Sequence, residues 1–183
     1  KVGIEPEFFL LKAHEGGWVP ADDADRLTKP SYDLKSIGRQ MPFLRELHEA
    51  LEQCGLDVLQ LDHEDAHGQY EVNFAFANAL SSADHVMLFK LAAHAIAEQH
   101  GRVFSMMPKP FANQPGSGMH FHVSLWARQS GVFDSPSDGL TANTSPEQLS
   151  LLGRQFVAGV LAHAPALCAL AAPTVNSYKR LTV

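Results

Sequence analysis

Apolar and polar positions alternate along the chain in a way that predicts short strands between helices. Residues 3–11 hold β-favouring Ile4, Phe8 and Phe9 and predict a strand. Residues 13–42 are polar and rich in Gly, Pro and Asp, and predict a long excursion, a kind of segment that is usually functional or disordered. Over residues 42–53, Phe43, Leu44, Leu47 and Leu51 recur at helical spacing, and Gly55 closes the run. Residues 56–61 predict a short strand. Residues 70–76 predict another, with Tyr70, Val72, Phe74 and Phe76 alternating against Glu71, Asn73 and Ala75. Residues 81–100 give the clearest helix. Ser81 or Ser82 is its predicted cap, Val86, Phe89, Ala93, Ile96 and Ala97 form its stripe, and Gly101 stops it. Residues 119–127 alternate with period two. Ser145, Pro146 and Glu147 open a helix to about His163, with Ser as N-cap and Pro in the first turn. This mixed order predicts α+β layers and leaves the sheet polarity open.

Composition narrows the function classes. The chain has 183 residues, 45% of them apolar, which suffices for one domain or one large domain fragment with a core. Fourteen basic against twenty acidic residues give a formal charge of −6. That balance argues against a nucleic-acid partner, which needs a basic stripe, and suits a site that gathers carboxylates around cations. No apolar run approaches a membrane span, and no signal peptide is legible at the start, so no membrane partner is expected. Cys54 and Cys168 lie far apart without metal spacing, which predicts reduced thiols and a cytoplasmic location. The chain opens on Lys1 and stops at Val183 just after a motif, so both ends are expected to be cuts.

Three segments carry candidate chemistry. In Glu5-Pro6-Glu7 the carboxylates are two apart on a strand and share a face. Two like charges side by side are costly unless a cation or proton offsets them. An exposed acidic pair on an edge strand, where Pro6 is tolerated, is the competing reading. The second segment runs from Asp62 to Glu71, and Gly68 allows a tight turn that brings Glu64 and Glu71 together. A charged hairpin tip in water explains this segment as well. The third runs from Gly116 to Ser124. It sets His120, His122 and Ser124 on one strand face and Phe121, Val123 and Leu125 on the other, behind a Gly-Ser-Gly turn whose backbone N–H groups suit an anion. A polar outer face beside a glycine turn is the alternative there. Jointly, Glu5, Glu7, Glu64 and Glu71 with His120 form a mainly oxygen donor set that suits Mg²⁺ or Mn²⁺ better than zinc. With Lys109, Lys179 and Arg180 as cations, residue chemistry alone points to a metal-dependent phosphoryl or acyl transfer site.

These segments together resemble the glutamine synthetase family over nearly the whole chain. The likeness rests on Glu5-Pro6-Glu7-Phe8-Phe9, His63-Glu64, Gly68-Gln69-Tyr70-Glu71, Lys109-Pro110 with Gly116 to Ser124, and Asn176 to Leu181. It implies an α+β catalytic domain with a curved, largely antiparallel sheet and flanking helices. It implies that residues 1–183 are that domain cut at both ends, without the small N-terminal β-grasp domain and the last part of the site. It further implies two metal sites, Glu7, Glu64 and Glu71 on the glutamate side and Glu5 with His120 on the ATP side. Gly116 would meet the amino-acid substrate through its backbone, His122 and Ser124 would lie against ATP, and Arg180 would grip the substrate carboxylate. The implied reaction is ATP-dependent ligation of ammonia or a small alkylamine to the γ-carboxylate of L-glutamate through γ-glutamyl phosphate, by a homo-oligomer. This chain by itself would have little or no activity.

Pro115 stands where many members of the family have Asn, which removes an amide from the substrate loop. Asp62-His63-Glu64-Asp65 and the run Lys29 to Leu34 are similar to the type III and γ-glutamylmethylamide synthetase group. A non-catalytic relative with an assembly or sensing role, and a phosphagen-type kinase of related fold, are the other readings. The intact carboxylates weigh against the first and the Asn176 to Leu181 motif against the second.

Overall fold

The computed structural model describes residues 1–127, 130–131 and 149–181. They fall in two compact units, one built from Val2–Phe121 and Val175–Val183, the other from Lys1 and His122–Thr174.

The first unit is organised on strand β1 (Val2–His14). The chain reverses at Glu15 and Gly16, both at positive φ, into β2 (Gly17–Pro20), which pairs antiparallel with β1 from Leu11↔Pro20 to His14↔Gly17. The helix α1 (Leu34–Gln53) leads to β3 (Val58–His63) and β4 (Gln69–Phe74), an antiparallel hairpin. Helix α2 (Ala79–Gln99) and β5 (Val103–Ser105) follow, and β6 (Met119–Val123) returns to pair with β1. β1 is therefore a central strand, not an edge, with β4 and β5 also antiparallel to it.

Register decides which side chains share a face, because residues directly opposite across a ladder point the same way. Glu7 faces Glu71 across β1 and β4, and Asp62 faces Glu71 across β3 and β4. One position along, Phe8 faces Tyr70 and Tyr70 faces His63. The sheet thus has a carboxylate face and an apolar face. The apolar face packs Phe8, Leu10, Val72 and Phe74 against Leu44 and Leu47 of α1 and Phe89 and Ala93 of α2. Phe8 is fully buried, its ring centroid 5.1–6.4 Å from those of Phe104, Phe89, Tyr70 and Phe43. Burying each such side chain contributes about 1.5–3 kcal/mol.

Several predicted boundaries shift. Residues 13–42 are not one excursion: β1 extends to His14, β2 forms the hairpin, and α1 begins at Leu34 rather than Pro42. Asp33 caps α1 by accepting from Ser36 N at 2.9 Å and Ser36 Oγ at 2.7 Å. The polar first turns hid the helical spacing, and Pro42 sits inside the helix, where it removes one hydrogen bond. α2 is capped by Asn78, whose Oδ1 accepts from Ser81 N at 3.0 Å, and not by Ser81 or Ser82. Ser82 instead donates its hydroxyl to Val2 O at 2.7 Å. In β6 the apolar side is not hidden, since Phe121 is 56% exposed.

The second unit holds the continuation of the 119–127 run, which is not a single strand. After β6 ends at Val123, a separate pair forms from β7 (Trp126–Ala127) and β8 (Ser130–Gly131). The cap predicted at Ser145 lies outside the described residues. Helix α3 (Leu151–Ala162) is capped by Ser150, whose Oγ accepts from Gly153 N at 3.0 Å. It meets α4 (Ala164–Ala171) at a bend of 66°. Among the described residues no single helix is long and apolar enough to cross a membrane. In the first unit, the short α5 (Ser177–Arg180) carries the last motif.

Candidate active site

The carboxylate face is built by β1 and the β3–β4 hairpin. Gly68 turns the hairpin at φ +69°, and an added Cβ there would stand 3.0 Å from Leu10 O and from Pro20 Cβ. The turn is closed by Glu64 N donating to Gln69 O at 2.9 Å and Gln69 N donating to Ala66 O at 3.1 Å. This places Glu64 just before the turn and Glu71 just after it. Glu71 is buried beside Glu7, with Glu5 two residues further along the same face of β1.

Burial acts first on these carboxyls and their neighbours' charge adds to it. Glu71 is pushed up from 4.5 to about 8 by burial and then by the charges of Glu64, Glu5 and Glu7. Glu64 is raised by burial and by Glu7, and Asp62 by burial, with the charge of Glu5 adding. A cation on this face would relieve each of these costs.

Ligand atoms of Glu5, Glu71 and His120 lie within 4.8 Å of one another, with His120 Nδ1 3.6 Å from Glu5 Oε2. The resemblance grouped Glu71 with Glu7 and Glu64 instead. Cross-strand register explains the difference, because Glu71 stands opposite Glu7 and next to Glu5, and so borders both expected sets. Glu7 is partly committed: its Oε2 accepts from Gln69 Nε2 at 2.8 Å and Gly118 N at 3.0 Å. Carboxylate oxygens with one imidazole fit Mg²⁺ or Mn²⁺, both of which favour oxygen donors.

Arg180 reaches this face from α5. Its side chain runs along Gly116 and Gly118, and a Cβ at Gly118 would stand 2.8 Å from Arg180 Nη2 and 3.3 Å from Glu7 Oε1. The Gly116 carbonyl accepts from Gln69 Nε2 at 3.3 Å. Lys109 is used internally: its ammonium donates to Gln114 O, and its backbone exchanges two hydrogen bonds with the Asn176 amide, at 2.6 and 3.0 Å. Gln114 Oε1 in turn accepts from His67 N at 2.9 Å, which ties the β3–β4 hairpin to the loop before Gly116. His122 and Ser124 belong to the second unit. His122 is exposed, and Ser124 Oγ accepts from Trp126 Nε1 at 2.9 Å.

Residue patterns did not point to the groups that hold these side chains in place. Gln69 and Asn176 lay inside matched motifs without an assigned task, and Gln114 carried no signal. Asp25 lay in the segment read as an excursion. Its Oδ2 is 2.9 Å from His63 Nε2, and His63 Nδ1 is 2.8 Å from Glu64 O. Both ring nitrogens face oxygens, one a backbone carbonyl and one a carboxylate, an arrangement that favours the protonated ring. Burial alone would lower its pKa, but the Asp25 and Glu64 hydrogen bonds and the Asp25 charge raise it.

The whole chain, residues 1–183, matches the family model described as glutamine synthetase, catalytic domain. The chain belongs to the glutamine synthetase family. Its antiparallel sheet with flanking helices is that family's catalytic fold. The glutamate–methylamine ligase of Methyloversatilis universalis is 50% identical over 183 residues, covering 99% of this chain and 40% of that protein. The glutamine synthetase of Methanocaldococcus jannaschii is 43% identical over 183 residues, covering 98% and 38%. Among solved structures, ligand-free GmaS aligns with TM-score 0.88 at 37% identity, covering 99% of this chain and 41% of that one. A GmaS–ADP complex aligns at 0.87 and 37%, covering 100% and 40%. The chain thus spans about 40% of the length of these glutamine synthetase relatives.

Proposed function

We propose that the full-length protein is an ATP-dependent glutamate–amine ligase and that this chain supplies most of its metal-binding face. The observation that carries the reading is the gathering of Glu5, Glu7, Glu64 and Glu71 on one sheet face, with Glu71 pushed up to about 8. Such a face is costly without cations and useful with them. Glu7, Glu64 and Glu71 hold a metal on the glutamate side, and Glu5 and His120, with Glu71 in reach, hold one on the phosphate side. Bound Mg²⁺ or Mn²⁺ supplies positive charge against the phosphates of ATP.

Arg180 presents its planar fork to the α-carboxylate of glutamate, and Gly116 offers its backbone beside it. His122 and Ser124 lie against ATP. The γ-carboxylate oxygen of glutamate attacks the γ-phosphorus and the bond to ADP breaks, giving γ-glutamyl phosphate. The amine nitrogen then attacks the acyl carbon, phosphate leaves, and the nitrogen gives up a proton. The ligand carboxylates hold and orient; they are not the acid–base groups. A small alkylamine as acceptor is supported by the relative that is 50% identical, a glutamate–methylamine ligase. Pro115 and Asp62 are the positions through which acceptor choice would be set. The working form is a homo-oligomer in the cytoplasm.

The test is phosphate release by the full-length protein with ATP, glutamate and a panel of ammonia, methylamine, ethylamine and a polyamine. Glutamate-dependent release that rises with an amine is the expected result, with methylamine preferred over ammonia. No release with any amine would favour the non-catalytic relative.

A further inference from the structure

A hydrogen-bonded Asp–His pair is buried at the β3–β4 hairpin, and the ligase reading gives it no task. The side chains of Asp25 and His63 are both fully buried. One oxygen, Asp25 Oδ2, accepts from His63 Nε2 at 2.9 Å and from Gly68 N at 2.6 Å. His63 Nδ1 donates to the carbonyl of Glu64 at 2.8 Å. Asp25 therefore grips the hairpin turn at both ends. Glu64 follows His63 directly, inside the gripped segment, and Glu71 lies three residues after Gly68. Asp25 is itself anchored to α1. Asp25 N donates to Asp22 O at 3.3 Å, Asp22 Oδ1 accepts from Ala24 N at 3.0 Å, and Asp22 Oδ2 accepts from Arg39 Nε at 2.7 Å.

Stability alone does not account for this arrangement, because an apolar pair of the same shape stabilises a core as well as a buried ion pair does. A hydrogen-bonded second layer behind metal ligands, however, fixes their direction. We propose that Asp25 is a positioning residue for the metal site, acting through His63 and the Gly68 N–H to set the turn that presents Glu64 and Glu71. The proposal rests on the metal reading given under the proposed function.

Mn²⁺ binding to the full-length protein, followed by the paramagnetic resonance of free Mn²⁺, tests it. Asp25→Ala is expected to weaken binding about ten- to a hundred-fold. Asp25→Asn keeps an oxygen that accepts from both His63 and Gly68, and is expected to stay closer to wild type than to the alanine variant. Truncation leaves His63 Nε2 and Gly68 N buried without their partner, so Asp25→Ala is at risk of misfolding. The double variant Asp25→Leu with His63→Phe removes both members of the pair, keeps a ring against Tyr70, and is expected to fold and show the same loss. Glu64→Ala is the control. Wild-type binding in the folded Asp25 variants beside a weakened Glu64→Ala overturns the positioning role alone. Equal losses in Asp25→Asn and Asp25→Ala also overturn it, since the hydrogen bonds would then be irrelevant. Unchanged binding in Glu64→Ala overturns the metal reading and the proposal with it.

Discussion

A methyl group at Gly118 would stand 2.8 Å from Arg180 Nη2 and 3.3 Å from Glu7 Oε1. At Gly116 it would run into the Pro108 carbonyl and the Arg180 stem. Neither glycine has a positive φ, so both serve close approach and not backbone freedom. The contacts differ in kind. A guanidinium end swings aside, whereas a backbone carbonyl does not. Gly118→Ala is expected to displace the Arg180 fork and raise KM for glutamate by about tenfold, the equivalent of one charged hydrogen bond. Its melting temperature should stay near wild type. Gly116→Ala is expected to destabilise the protein by about 1–3 kcal/mol, as over-packing does, read as a lower urea midpoint at constant slope. If both variants leave KM and stability unchanged, the passage of Arg180 over the turn is not as described.

At the scale of elements, the main apolar core and the carboxylates lie on opposite faces of one sheet. Phe8 and its aromatic neighbours hold α1 and α2 to the apolar face. Phe8→Ala is expected to cost about 3–5 kcal/mol, and Asn78→Ala, which removes the α2 cap, about 1 kcal/mol, both measurable by denaturant titration. Much of this was legible in the chain because strand and helix periods are local properties. Glu5 and Glu7 had to share a face, and Gly68 had to turn the hairpin. The start of α1 was not legible, because its first turns are polar and Pro42 mimicked a helix start. β5 has three residues, too few for a period to show. The grouping of Glu71 with Glu5 and His120 depends on cross-strand register, which no local pattern reveals. Asp25 was invisible for the same reason: its partners His63 and Gly68 lie 38 and 43 positions away.

For the whole molecule, the crowded carboxylates make metal-free stability depend on pH. Burial and neighbouring charge push Glu71 in the folded chain up to about 8 from its ordinary 4.5, so the folded chain binds more protons across that window. Stability then falls as pH rises through it. Asp25 acts in the opposite sense. Burial pushes its carboxyl up, but the bonds from His63 and Gly68 outweigh this and hold it below 3.8, so its contribution is lost on strong acidification. Metal-free melting temperature is therefore expected to decline from about pH 5 to about pH 8, and saturating Mn²⁺ is expected to abolish that decline, because the cation replaces the proton on Glu71. The central claim is that this face is a divalent-metal site. Calorimetric titration of the full-length protein with Mn²⁺ at about pH 7, in buffers of different ionisation enthalpy, tests it most directly. Saturable binding with proton release, both diminished in Glu71→Gln, is the predicted result. Equally tight binding in Glu71→Gln, with no proton released by either protein, would contradict it.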